Sequence, residues 1–244
     1  MSALIAAGRL TRLLPHVLHG LWIVRRQFPR LTPEQRHERI QWWSIKTLGI
    51  LGIALRSTGS ARPSGQLLVA NHVSWLDIAA VHAVLPQARF ISKADVKHWP
   101  LVGPLVVGAG TLFIERASKR DALRVVHQSA EALRDGDCVA VFPEGTTGAG
   151  PELLPFHANL LQAAVATGSA VLPVVLRWHE PSERFSTAAR FIGDTTLAQS
   201  LWCIASARGL AVDVQLLPPV DSQGQDRRML GELLRREISA RLAA

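Results

Sequence analysis

Residues 67–77 read LLVANHVSWLD. An apolar run stops at Asn71-His72, and Asp77 follows five positions after the histidine. A continuous apolar run ended by polar residues reads as a short strand buried on both faces. Two readings compete for what comes next. Ser74 and Asp77 have the S-x-x-D spacing of a capping box, which makes the stretch an ordinary helix start with His72 just ahead of it. Alternatively, Asp77 holds the His72 imidazole in one tautomer, so that the ring can take a proton. The stretch by itself leaves both open.

Outward from this strand, short β-rich runs alternate with helical stretches. Strands are predicted at 66–70, 88–92, 111–115, 138–142, 170–176, 188–192 and 211–217. Helical spacing fills 74–85, 119–135, 157–168 and 196–209, and several of these stretches end in Gly or Asp-Gly. The last stretch, 224–242, places Leu230, Leu233, Leu234, Ile238 and Leu242 on one face and reads as a docking helix. Strands alternating with helices predict an α/β domain: a mixed, mostly parallel sheet with helices on both faces. A chain of 244 residues suits one such domain.

The charge is unevenly spread. Residues 1–62 carry ten Lys and Arg against Glu34 and Glu38, which accounts for the whole net charge of +8. Residues 63–244 balance to zero. A basic segment suits nucleic acid or an anionic membrane. The apolar runs 13–24 and 45–55, with Trp22, Trp42 and Trp43 beside arginines, favour the membrane. Neither run reaches the roughly 18–20 apolar residues that span a bilayer, and no compact segment reads as a cleaved signal peptide. The expected division is therefore a basic, apolar helical segment over 1–62 lying on or entering one leaflet, followed by the α/β domain over 63–244. A nucleic-acid partner is not expected. Cys138 and Cys203 lie far apart in apolar settings, without metal-ligand spacing, so no metal is expected.

Three predicted strand ends carry polar residues: Asn71-His72-x4-Asp77, then Gly110 to Arg116 (GTLFIER), then 142–147 (FPEGTT). No G-x-S-x-G elbow, P-loop or dinucleotide fingerprint is present. With these blocks the chain resembles the glycerolipid acyltransferases, specifically the 1-acyl-glycerol-3-phosphate (lysophosphatidic acid) acyltransferases. NHVSWLD matches that family's N-H-x4-D block, GTLFIER its G-x-x-F-I-x-R, FPEGTT its F-P-E-G-T, and VLPVVL (171–176) its proline-containing strand. The four occur in the family's order, and the resemblance covers about residues 45–220.

The resemblance implies acyl transfer from acyl-CoA or acyl carrier protein to a lysophospholipid hydroxyl, with no acyl-enzyme and no cofactor. It makes His72 the general base and Asp77 its orienting partner. Arg116 becomes the phosphate-gripping arginine. Glu144, Gly145 and Thr146 join the acceptor side, Gly145 and Thr146 through backbone N–H groups, and Asn71, Ser74 and Gly110 have supporting roles. The expected location is the cytoplasmic face of the inner (plasma) membrane. Two departures bear on the acceptor. Position 147 is Thr where Arg often follows, and His157-Ala158 stand where Lys-x-Gly is common. Related enzymes that acylate lyso-ornithine lipid resemble this chain in S-W-L-D and in the downstream L-P-F.

Overall fold

The computed structural model describes residues 2–61, 65–115 and 119–244. Among the described residues seven strands form one sheet: β1 (Ala54–Thr58), β2 (Gln66–Ala70), β3 (Ala88–Lys93), β4 (Leu112–Ile114), β5 (Cys138–Val141), β6 (Ala170–His179) and β7 (Ala211–Leu216). Their order is β1-β7-β6-β2-β5-β3-β4, and every neighbouring pair is parallel except β6 with β7. This is the mixed, mostly parallel sheet expected.

Among the described residues the α-helices are α1 (Ser2–Trp22), α2 (Pro33–Ile50), α3 (Asp77–Val84), α4 (Val102–Gly108), α5 (Lys119–Arg134), α6 (Gln162–Thr167), α7 (Leu197–Ser206) and α8 (Arg227–Ala243). Alternation along β2 sorts them into two layers. Leu68 and Ala70 face a core shared with Leu48 of α2 and Leu51 just after it, Leu76 and Val81 around α3, and Ile204 of α7. Leu67 and Val69 face the other core, with Leu133 of α5, Ala164 of α6 and Leu230, Leu234, Ile238 and Leu242 of α8. Both faces of β2 are therefore buried, which is why residues 67–70 carry no polar alternation.

Two predicted elements differ. The helix expected over 45–55 ends at Ile50, and Ala54–Thr58 forms β1, which pairs with β7. The sheet thus takes its edge strand from residues expected to belong to the N-terminal segment. Helix α2 also begins well before the apolar run. Thr32 and Gln35 form a capping box, with Gln35 N–H donating to Thr32 Oγ1 at 3.4 Å and Thr32 N–H to Gln35 Oε1 at 3.0 Å, and Pro33 opens the helix. Residues 188–192 form no strand. The Phe191 backbone is used elsewhere: its N–H donates to Val73 O at 3.0 Å, and its carbonyl accepts from the Thr147 hydroxyl. Those two bonds tie a crossing loop to the strand ends and leave no ladder to join.

Candidate active site

The parallel strands β2 and β5 are adjacent and end at the same edge of the sheet, which brings Asn71-His72 beside Phe142-Pro143-Glu144. At the end of β2 the Asn71 side chain takes the place of a backbone partner. Its Nδ2 donates to Leu176 O at 2.9 Å, and its Oδ1 accepts Leu176 N–H at 2.8 Å. The chain is thereby pinned to β6 just where it leaves the ladder.

Beyond Asn71 the chain turns around a single carboxylate. Asp77 is fully buried. Its Oδ2 accepts from His72 Nδ1 at 2.8 Å, Val73 N–H at 2.7 Å and Ser74 N–H at 2.8 Å. Its Oδ1 accepts from the Trp178 indole N–H at 2.6 Å. A proton on Oδ2 would face two backbone N–H groups, so the proton shared with the imidazole sits on His72 Nδ1. The lone pair is then on Nε2, for which no described residue provides a hydrogen bond. Both readings of the opening stretch meet in this residue. Asp77 reaches back to Ser74 N–H as a capping-box carboxylate does, and the same oxygen holds His72. Ser74 Oγ accepts Leu76 N–H at 3.3 Å, although α3 itself begins only at Asp77.

The imidazole is also clamped by packing. It stacks on Phe142, with ring centroids 4.0 Å apart and an interplanar angle of 8°, and Phe142 stacks in turn on Phe90 at 5.3 Å. The His72 backbone is held from both ends: its N–H donates to Glu144 Oε1 at 2.7 Å, and its carbonyl accepts Gly148 N–H at 2.7 Å. Fixing χ1, the ring plane and the tautomer together is what a proton-accepting nitrogen needs.

Glu144 was expected among acceptor contacts, yet it is buried and its other oxygen, Oε2, accepts Leu154 N–H at 2.9 Å. It bridges the His72 turn to the loop after β5. Burial pushes its carboxyl pKa up, while the two backbone N–H groups pull the other way. Gly145 differs in a similar way. Its N–H, expected to face an anion, donates to Phe142 O at 3.0 Å. Its glycine identity has a conformational cause, since φ is +72° and a Cβ would lie 3.0 Å from His157 Cδ2. Thr146 is exposed beside it. Gly110, with φ of +74°, makes the turn between α4 and β4, and its carbonyl accepts from Arg89 Nε at 3.1 Å. Arg116 lies outside the described residues.

Trp178 is the member that no spacing betrays. It lies 101 residues from Asp77 in a strand that reads as core. The only available signal is chemical: a buried indole N–H needs an acceptor. Trp75 adds a tether of the same kind, donating from Nε1 to Ser200 Oγ of α7 at 3.0 Å.

Residues 54–177 match the family model described as Acyltransferase. The chain is 38% identical over 228 residues to the lyso-ornithine lipid O-acyltransferase of Pseudomonas aeruginosa, covering 91% of this chain and 87% of that protein. It is 37% identical to the 1-acyl-sn-glycerol-3-phosphate acyltransferase of Neisseria meningitidis serogroup B, covering 86% and 83%. Among solved structures it superposes on the 1-acyl-sn-glycerophosphate acyltransferase PlsC of Thermotoga maritima with a TM-score of 0.65 at 22% identity, over 97% of this chain and 98% of that one. This chain belongs to the acyltransferase family.

Proposed function

We propose that the chain transfers a fatty acyl group from acyl-CoA or acyl carrier protein to the free hydroxyl of a lysophospholipid, 1-acyl-glycerol-3-phosphate in the first instance, giving phosphatidic acid. The observation that carries the reading is the His72 Nδ1···Asp77 Oδ2 contact at 2.8 Å, at the edge of the sheet. His72 Nε2 takes the proton of the acceptor hydroxyl as its oxygen attacks the thioester carbonyl. Collapse of the tetrahedral intermediate expels the thiolate, and His72 returns the proton to it. The acceptor oxygen is the nucleophile, so the protein needs no nucleophilic serine and the reaction no cofactor. Arg116 is assigned to the acceptor's anionic head group. The Thr146 N–H carries the backbone part of that role, and Glu144 acts by holding the His72 turn.

A second acceptor, lyso-ornithine lipid, is favoured by a specific feature. Thr147, whose hydroxyl donates to Phe191 O, and His157-Ala158 stand where the phosphate-acceptor pattern often has cations. The deciding experiment is an acyl-transfer assay of the purified protein against a panel of lysolipids. Turnover of none of them would sink the proposal, and a preference for one head group would choose between the two acceptors.

The N-terminal helices would hold the enzyme on an anionic membrane, at the cytoplasmic face of the inner membrane. Supporting this, Leu14, Leu18 and Trp22 of α1 and Trp42 and Ile45 of α2 are exposed, with Lys46 Nζ lying 4.8 Å from the centroid of the Trp42 ring. Among the described residues no helix is long and apolar enough to cross a membrane. The domain division at residue 62 is best tested by point substitution, because deleting 1–62 would also remove β1 and the buried Leu48 and Leu51.

A further inference from the structure

Strand β3 ends at Lys93 on the same edge of the sheet as His72, with β5 between β3 and β2. A 3-10 turn, Ala94–His98, follows it and leads to a sharp corner at Trp99-Pro100-Leu101 before α4. Leu101 has φ +63° and ψ −42°, and among the described residues it is the one non-glycine with positive φ. Val102 N–H donates to Pro100 O at 2.7 Å, which closes a γ-turn of the rare, strained hand around Leu101. The corner is stapled in place by Gly103 N–H donating to Trp99 O at 2.9 Å and Trp99 N–H to Val96 O at 3.1 Å.

Glycine would adopt this conformation at lower cost. Leucine therefore carries a backbone cost here that its side chain does not offset by packing the core. Leu101 is 43% exposed, Trp99 40% and Val107, one helix further, 46%. Exposed Lys93, Lys97 and His98 lie around the corner with Asp95 among them, while exposed Glu115 follows the β4 residue paired with Lys93. The patch is also continuous with the N-terminal helices. Helix α4 packs against α1 and the π-helical turn Ile23–Gln27. At Gly108 the approach is so close that a Cβ would lie 2.8 Å from Val24 Cγ1. Exposed Trp22, Arg25 and Arg26 border that contact.

We infer that the Trp99–Leu101 corner is a second membrane contact, separate from the helices α1 and α2, which inserts into an anionic lipid surface and turns the strand ends carrying His72 toward it. The inference rests on the membrane reading proposed above. Two anchors on different elements fix an orientation, whereas one helical anchor leaves the body free to tilt. An acidic carrier protein bearing the acyl donor would also meet positive charge here. The protruding Trp-Pro-Leu apex and its continuity with an apolar helix pair suit a lipid interior better than a soluble acidic surface.

The test uses Leu101→Gly in the full chain, with Trp99→Ser as a second variant. Flotation is measured on phosphatidylglycerol/phosphatidylethanolamine vesicles, thermal unfolding without lipid, and acyl transfer to a vesicle-embedded and to a short-chain monomeric acceptor. Leu101→Gly should unfold at the same temperature as the wild type or higher, because strain is relieved. It should nonetheless bind vesicles about tenfold more weakly, and lose rate on the embedded acceptor while keeping it on the monomeric one. Trp99→Ser should show the same binding loss. If Leu101→Gly lowers the unfolding temperature, the side chain is a packing residue and the inference is overturned. Unchanged vesicle binding with a raised KM for the carrier-protein donor would overturn it in favour of donor docking. Wild-type protein that fails to float would remove the membrane reading and this inference together. Floating that is equally strong in both variants would remove this inference alone.

Discussion

The indole Nε1 of Trp178 stands 2.6 Å from Oδ1 of Asp77, joining the C-terminal end of β6 to the carboxylate that holds His72. Asp77 therefore has a donor on each oxygen, and its plane is fixed independently of the imidazole. Replacing Trp178 by Phe keeps most of the buried ring and removes the N–H, leaving Oδ1 without its partner. A hydrogen bond to a charged group is typically worth about 1.5–3 kcal/mol. The expected outcome is a kcat lowered about tenfold or more, with the acceptor KM little changed. Steady-state kinetics on the preferred lysolipid would check the split. An unchanged kcat would remove Trp178 from the orienting network.

His72→Ala should lose at least about 10²-fold in rate while the fold survives, because the side chain is partly exposed and its loss opens no deep cavity. Asp77→Asn should be more damaging to the structure than a one-atom change suggests. An amide offers one acceptor oxygen, so its NH2 must face either the Val73 and Ser74 N–H groups or the Trp178 N–H. A fall in both activity and denaturation midpoint is expected. Retention of more than about a tenth of the rate by His72→Ala, above the usual limit for losing a general base, would end its assignment.

Glu144→Gln follows the same logic at the other end of the turn. One of its two backbone donors, His72 N–H or Leu154 N–H, must then face an amide NH2. A loss of about 1–3 kcal/mol of stability is expected in denaturant titrations. A loss in kcat should accompany it, because the His72 backbone shifts. If only the acceptor KM rose and stability held, Glu144 would be an acceptor ligand after all.

Much of this was legible because it is local. The His72–Asp77 spacing falls within one turn of chain, and the buried β2 announces itself as an unbroken apolar run. What stayed hidden depends on residues distant in sequence. Trp178 reads as core, and the two backbone bonds of Glu144 need Leu154 folded back onto the β5 loop. The edge strand β1 was masked because 45–55 is apolar throughout, and an apolar run cannot be divided between helix and strand by periodicity alone. Residues 188–192 have strand composition, yet the Phe191 backbone is drawn to Val73 and Thr147 instead.

His82 gives a pH signature unrelated to catalysis. It is buried in α3, its Nε2 bonds to Ala88 O at 2.9 Å, and it packs edge-on to Phe90. Burial pulls its pKa down from 6.5 to about 4. Between these values the unfolded chain binds a proton that the folded chain refuses, so stability falls as pH drops from 6.5 toward 4. The loss attributable to this residue is about 3 kcal/mol over the window. His82→Gln, which can still donate to Ala88 O, should flatten that part of the pH dependence. His16 and His37 are lowered by burial too, so a smaller slope should persist. Denaturant unfolding at pH 7 and pH 4.5 would show it, and an identical slope in wild type and variant would contradict the assignment.

Arg116 offers the sharpest test of the acceptor, because its role rests on the GTLFIER block alone. If its guanidinium grips the anionic head group, Arg116→Ala should raise the acceptor KM roughly 10–150-fold, the equivalent of about 1.5–3 kcal/mol for a charge-assisted contact. The donor KM should stay nearly constant. Arg116→Lys should recover part of the loss, since an ammonium keeps the charge and forfeits the two-pronged geometry. Lysophosphatidic acid and lyso-ornithine lipid both present an anion that the fork can hold, a phosphate in one and a carboxylate in the other. The mutant must therefore be run on both. An effect confined to the wild type's preferred acceptor would tie Arg116 to head-group choice, and an equal effect on both would make it a general anion clamp. A rise in donor KM with every acceptor spared would place Arg116 on the thioester side of the site and reverse the assignment.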